Sequence, residues 1–173
     1  ARVLGTTVPD GLAQVRHHIG YLPQRFSLYG DLTVEENLDF YADLFPADPE
    51  RRRHKEQLLE MIGLAAFRDR LAAALSGGMK QKLALLCNLV HRPGLLLMDE
   101  PTVGVDPVSR REFWTLVFEL QRGGLTVLAS TPYMDEAEQF DRVALLSEGV
   151  FLREGTPDQI RSSVPGVVLE AVC

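Results

Sequence analysis

Leu95-Leu96-Leu97-Met98-Asp99-Glu100-Pro101-Thr102-Val103-Gly104-Val105-Asp106 decides how the rest of the chain is read. Leu95 to Met98 are apolar without alternation, the pattern of a strand buried on both faces of a parallel sheet. Asp99 and Glu100 follow where that strand would end. Ligand sites of open α/β sheets lie outside the carboxyl ends of strands. There Asp99 can hold Mg²⁺ through carboxylate oxygen, and Glu100 can handle a water. Taken alone, the same letters also describe a buried strand running into a charged loop.

A second stretch lies upstream. Leu75-Ser76-Gly77-Gly78-Met79-Lys80-Gln81 places a natural N-cap, Ser76, before Met79, Leu83, Leu86 and Val90 at helical spacing. Two glycines at a helix start let backbone N–H groups approach an anion, and the helix dipole favours negative charge there. In isolation this too would be an ordinary glycine turn before a core helix. The two stretches together, in this order, resemble the signature loop and Walker B strand of ABC ATPases, the ATP-binding subunits of ABC transporters. The resemblance extends over nearly the whole chain.

The resemblance implies an α/β fold: a P-loop NTPase-like core, incomplete at its N-terminus, with an inserted α-helical subdomain. Two such domains would face each other head to tail, as homodimer, heterodimer or tandem. ATP would lie between one domain's phosphate loop and the other's Ser76, Gly77 and Gly78, with Gln81 in the same motif. Asp99 would hold Mg²⁺ and Glu100 would polarise the attacking water. Asp106 would lie at the domain–domain interface. Gln24, placed as the Q-loop glutamine, would reach Mg²⁺ and the water. A membrane-spanning permease would be the other partner, with the chain peripheral on the cytoplasmic face of the cell membrane. The runs Ser130 to Glu138 and Leu75 to Leu83 look most like the ABC-2 export group.

Composition argues against a general nucleic-acid grip. The 173 residues are 46% hydrophobic, enough for one domain's core, and carry a net charge of −6. No apolar run approaches the roughly 20 residues of a membrane-spanning helix. Cys87 and Cys173 form no metal spacing or disulfide framework. His17, His18, His54 and His91 show no ligand spacing either.

Along the chain, Ala1 to Gly5 is expected to be the end of a strand. A short helical piece, Leu12 to His18, then precedes a strand at Ile19 to Leu22. Residues 1–24 would belong to the core. Residues 25–93 read as the helical subdomain: a helix behind the Thr33-Val34-Glu35-Glu36 capping box, a second over Glu50 to Ile62, and a third from Ser76 to about His91. The basic run Arg51 to Lys55 reads as a solvated face. Phe26, Leu28 and Tyr29, apolar in a loop, are expected to contribute to the permease docking surface. Residues 94–165 would complete the core. They hold a helix capped by Asp106 and Pro107, a strand from Leu125 to Ser130 and an acidic helix start at Asp135. A hairpin from Val143 to Leu152 and a last helix after Thr156 follow. Residues 166–173 would begin a C-terminal extension.

Three departures from the family pattern stand out. No Gly-x-x-x-x-Gly-Lys-Ser/Thr run occurs. The resemblance would put it before Gln24, upstream of Ala1, so the chain is expected to be N-terminally truncated and inactive by itself. Pro132 stands where the family usually has the switch histidine of Ser-Thr-His; it offers no side-chain donor or base. Lys82 replaces a common arginine, a minor change. Pro132 keeps a second reading open: a degenerate half that lends its signature loop to an active partner site. A soluble ABC ATPase of repair or translation would predict coiled-coil insertions or a basic surface, and the sequence has neither.

Overall fold

The computed structural model describes residues 1–25, 27–46 and 49–163. They form two compact units, Ala1–Ser130 and the part of the chain from Thr131 onward. The centre of the first unit is a parallel three-stranded sheet. Strand β3 (Ile19–Leu22) and strand β5 (Thr126–Ser130) flank β4 (Leu95–Asp99). The register sets Leu22 beside Met98, and Met98 and Asp99 beside Ala129 and Ser130.

Ahead of the sheet, Arg2–Val3 (β1) and Thr6–Thr7 (β2) pair antiparallel. Leu4 and Gly5 between them both have positive φ, +48° and +80°, the mark of a tight hairpin turn. The expected strand end at Ala1 to Gly5 is thus a hairpin instead. Helix α1 (Leu12–Val15) and a 3₁₀ turn (Arg16–His18) lead into β3.

The sheet corrects a second expectation. Leu96 and Met98 are buried, but Leu95 and Leu97 only half so. Leu97 lies in register with Tyr21 and Leu128, which are 54% and 65% exposed. An unbroken apolar run reports the hydrophobicity of both strand faces, not whether the described residues cover both.

Between β3 and β4 the chain is helical. Helix α2 (Val34–Asp43) starts at a complete capping box, Thr33 with Glu36. The Thr33 backbone and side-chain bonds hold the Glu36 carboxyl below its ordinary range. Helix α3 (Arg51–Met61) follows, and Gly63 beyond it adopts φ +72°. Its basic front is only partly solvated. Lys55 is buried, with its ammonium on Glu35 at 2.5 Å and Asp39 at 2.6 Å. Burial pulls that ammonium's pKa down, but the two carboxylates outweigh it and the net shift is upward. Arg51 caps the end of α2 through Asp43 and the carbonyls of Phe45 and Pro46. A stripe of basic letters therefore hid a buried ion pair that ties α3 to α2.

Helix α4 (Gly77–Cys87) ends a turn earlier than its apolar spacing suggests. Asn88 stops it: Nδ2 donates to the Ala84 carbonyl while Oδ1 accepts from Tyr21 N. A side chain that hydrogen-bonds locally competes with the helical ladder. Here it also fastens the helix end to β3. A Cβ on Gly20 would stand 2.7 Å from the Asn88 carbonyl oxygen, so the close approach needs glycine.

Helix α5 (Pro107–Arg122) packs against α4 and buries Phe113, Trp114, Leu116 and Val117. Full burial of a side chain of this size contributes about 1.5–3 kcal/mol, so this face anchors the layer. Gly123 and Gly124 end it, Gly124 at φ +102°.

In the second unit, α6 (Met134–Ala137) is a single turn with Asp135 and Glu136 at its start. Strands β6 (Val143–Ser147) and β7 (Val150–Gly155) form the expected hairpin, turning at Glu148 and Gly149 with a bulge at Leu145/Leu146. Thr156 and Gln159 form a capping box for α7 (Pro157–Ser162). The expected extension over 166–173 lies outside the described residues.

Candidate active site

Parallel register brings the predicted residues together. With Leu22 opposite Met98, Gln24 lies two residues past β3 at the level of Glu100, two past Met98. Gln24 Nε2 donates to Glu100 Oε2 at 2.7 Å. On the other side Ser130, the last residue of β5, faces Asp99. Ser130 Oγ donates to Asp99 Oδ1 at 2.7 Å and accepts from Glu100 N at 2.9 Å. Gln24, Asp99, Glu100 and Ser130 thus form one connected row across the carboxyl ends of three strands. Gln24, Asp99 and Ser130 are exposed and Glu100 half-buried, so the row is open to a ligand.

Glu100 holds φ +45°. A non-glycine residue in the left-handed region is uncommon and must be held there. Its N–H is held by both Ser130 Oγ at 2.9 Å and the Ser130 carbonyl at 3.2 Å. Sequence reasoning singled out Asp99, Glu100 and Gln24 and passed over Ser130. The available signal was a hydroxyl closing an apolar strand next in order to the Asp-Glu strand.

The donor set suits a hard cation. Asp99 supplies carboxylate oxygen, and Gln24, with its amide nitrogen on Glu100, has its carbonyl oxygen left to accept. Among the described residues no group of three or more His, Cys, Asp or Glu side chains could hold a metal by itself. That fits Mg²⁺, which is ordinarily bound through one or two carboxylates together with substrate phosphates and water.

The signature stretch forms a separate feature. Ser76 caps α4, its Oγ accepting from Met79 N at 3.3 Å. The first N–H groups of a helix lack intrahelical partners and can face an anion. The two glycines differ. Gly77 is exposed, and a Cβ there would meet nothing within 4 Å. A Cβ on Gly78 would stand 2.4 Å from Ser109 Oγ and 2.7 Å from Ser109 Cβ. Gly78 is therefore a packing glycine between α4 and the first turn of α5. Gln81 is 3% exposed, on the buried side of α4. Among the described residues no hydrogen bond or ion pair joins the Ser76 cap to the Gln24–Asp99–Glu100–Ser130 row.

Asp106 caps α5: Oδ1 accepts from Val108 N at 3.1 Å and Ser109 N at 2.9 Å. The Ser109 side chain and backbone bonds hold its carboxyl below the ordinary range. Through Ser109, the Asp106 cap and Gly78 meet at one point, and Lys82 pairs with Glu112 at 2.8 Å one turn on. The signature helix and the helix behind the acidic strand are thus mechanically one piece.

In the second unit Pro132 is exposed. Thr131 beside it donates through Oγ1 to Glu136 Oε2 at 2.5 Å and accepts from Tyr133 N at 3.1 Å. Glu136 is 2% exposed, so the acidic start of α6 holds this turn closed. In the loop after Gln24, Tyr29 is 45% exposed and packs edge-on against Phe40 at 4.6 Å. Leu28 is half-buried, and Phe26 lies outside the described residues. Asn37, fully buried, holds that loop. Its Oδ1 accepts from Tyr29 N at 2.9 Å, and Nδ2 donates to the carbonyls of Tyr29, Leu32 and Thr33.

Comparison with known proteins gives a consistent answer. The ABC transporter family profile matches residues 2–103. The chain is 52% identical over 149 residues to the probable multidrug ABC transporter ATP-binding protein YbhF of Escherichia coli, covering 86% of this chain and 26% of that protein. It is 39% identical over 171 residues to the daunorubicin/doxorubicin resistance ATP-binding protein DrrA of Streptomyces peucetius, covering 98% and 52%. The chain therefore spans about a quarter to about half the length of these relatives. Among solved structures, cbiO1 of Clostridium perfringens, part of an ABC transporter complex, superposes with a TM-score of 0.83 at 25% identity, covering 94% of this chain and 67% of that one. The ATP binding subunit of another ABC transporter gives 0.77 at 31% identity, covering 92% and 68%.

Proposed function

We propose, because this chain belongs to the ABC transporter family, that it is part of an ATP-binding domain that powers an exporter by binding and hydrolysing ATP at a dimer interface. The observation that carries the reading is the row Gln24–Glu100–Ser130–Asp99 at the ends of three adjacent parallel strands. Asp99 and Gln24 would hold Mg²⁺, which supplies charge stabilisation on the phosphates. Glu100 would accept a proton from the attacking water, and Gln24 would keep the Glu100 carboxylate at the strand end until nucleotide arrives. Ser76 and Gly77 would offer backbone N–H groups to nucleotide held by a second ATPase domain. Gln81 and Asp106 act from behind, Gln81 inside α4 and Asp106 by setting α5.

The names of DrrA and YbhF, a drug-resistance and a multidrug ATP-binding protein, support an exporter of the ABC-2 group. Among the described residues no helix is long and apolar enough to cross a membrane. A permease would supply the span, with the chain peripheral on the cytoplasmic face of the cell membrane. Tyr29 and Phe40, an exposed aromatic pair beside the Gln24 loop, suit the docking of that permease. ATPase assays on the complete transporter test the reading. Glu100→Gln together with the equivalent change in any partner domain should abolish hydrolysis while ATP binding persists; undiminished turnover would refute it.

Pro132 favours a second reading, in which the site built by this chain is slow and its signature loop serves an active partner. Losing one transition-state contact typically costs about 10²–10³ in rate. Under that reading Glu100→Gln alone barely changes turnover in a heterodimer or tandem protein, whereas Gly77→Asp, setting a carboxylate against the partner's phosphates, abolishes most of it. Equal damage from both would make this site catalytic despite Pro132.

A further inference from the structure

We infer that Ser130 is the positioning residue of this centre, its one hydroxyl aiming the Asp99 carboxylate and holding Glu100 in its left-handed backbone conformation. The inference rests on the reading of Asp99 as the Mg²⁺ ligand and Glu100 as the residue that handles water.

The geometry leaves one arrangement of protons. An ionised carboxylate only accepts hydrogen bonds. The Ser130 hydroxyl proton therefore lies on the 2.7 Å line to Asp99 Oδ1. A lone pair of the same oxygen is left to accept Glu100 N–H at 2.9 Å. Two backbone-adjacent acids with different tasks are thus tied to one atom. The tie is needed because β4 ends here. The last bond of the ladder with β5 runs from Glu100 N to the Ser130 carbonyl at 3.2 Å, and at that residue the backbone turns to φ +45°. Ser130 Oγ adds a second, shorter acceptor at 2.9 Å for the same N–H. On the other side Gln24 holds the Glu100 carboxylate, whereas the Asp99 carboxylate is held by Ser130. Partners that orient a ligating carboxylate typically account for about 10–100-fold in metal affinity or activity.

Three substitutions separate hydroxyl chemistry from packing. Ser130→Ala removes both bonds. Ser130→Cys keeps the volume but offers only a weak donor and acceptor. Ser130→Thr keeps the hydroxyl and suits a strand. The probe is Mn²⁺ in place of Mg²⁺, titrated by electron paramagnetic resonance against the complete transporter at saturating ATP, with melting temperatures measured alongside. Asp99→Ala defines which bound Mn²⁺ belongs to this chain's site. Ser130→Ala and Ser130→Cys should weaken that Mn²⁺ by about 10–100-fold, and Ser130→Thr by no more than about threefold. If Ser130→Ala fails to fold, the cysteine variant carries the test. Wild-type Mn²⁺ affinity in the alanine or cysteine variant would overturn the inference, and so would a threonine variant as weak as alanine. If Asp99→Ala removes no Mn²⁺, the functional reading itself falls. If it removes Mn²⁺ and Ser130→Ala does not, only the role of Ser130 falls.

Discussion

Gly77 and Gly78 are neighbours in one motif, yet alanine should act on them in opposite directions. At Gly78 a methyl group would lie 2.4 Å from Ser109 Oγ and 2.7 Å from Ser109 Cβ. A rotamer change moves Oγ but not Cβ, and Ser109 N is already bound to Asp106. The helices α4 and α5 must therefore separate. Overpacking of this kind costs about 1–3 kcal/mol, and replacing glycine by alanine in a helix returns up to about 1 kcal/mol. The net loss should be about 1–2 kcal/mol, or roughly 2–8 °C in melting temperature for a chain of this size. At Gly77 nothing lies within 4 Å, so only the propensity gain remains and the melt should rise by about 1–4 °C. Function should separate from stability. Under the proposed function Gly77→Ala would crowd a surface that faces nucleotide, and it should lower ATPase turnover of the complete transporter despite the firmer fold. Ser109→Gly added to Gly78→Ala should restore most of the lost stability, because it removes the clashing Cβ. Thermal melts by circular dichroism and a coupled ATPase assay decide the matter. If Gly78→Ala melts at the wild-type temperature, or Ser109→Gly gives no recovery, the close contact of α4 with α5 is not what keeps Gly78 a glycine.

Asn37→Leu, nearly isosteric, removes four hydrogen bonds from a fully buried site and should destabilise by about 2–4 kcal/mol, read as a lower urea midpoint at unchanged slope. His91 stacks on Phe45 at 3.7 Å, and burial, aided by His17 and His18, lowers its pKa against the opposing bond to the Ile19 carbonyl. The unfolded chain then binds the proton more readily. Stability should be full above the unfolded pKa of about 6.5 and fall as pH drops below it, until the folded ring also titrates. Melts between pH 7.5 and 5.5 should show this slope in the wild type and a flatter one in His91→Leu. Tyr29→Asp, at a 45% exposed position, should uncouple transport while keeping a cooperative melt; loss of that melt would make Tyr29 a core residue. The 173-residue chain, without a phosphate-loop motif, should bind MgATP more weakly than about 10 μM, roughly 7 kcal/mol, in isothermal titration.

Local chemistry was legible in the sequence wherever one residue and its near neighbours set the outcome. Thr33 with Glu36, Ser76, Asp106 with Pro107, Gly63, Gly124 and the Glu148-Gly149 turn all act over a few residues of backbone, and each appears where its letters imply. The apolar run ending in Asp99 and Glu100 likewise announced a central parallel strand with acids at its carboxyl end. Other features depend on what lies across a gap in space, and no local pattern encodes that. Leu95 to Met98 read as buried on both faces, but burial is decided by neighbouring layers, and Tyr21 and Leu128 share an uncovered face with Leu97. Helical spacing carried α4 past Cys87, yet Asn88 ends it because β3 offers Tyr21 N as a partner. Lys55 looked solvated because its carboxylate partners come from another helix. Gly78 looked like an anion-binding glycine until Ser109, far along the chain, was seen against it. Ser130 gained its role only when the register of β5 set its hydroxyl between Asp99 and Glu100.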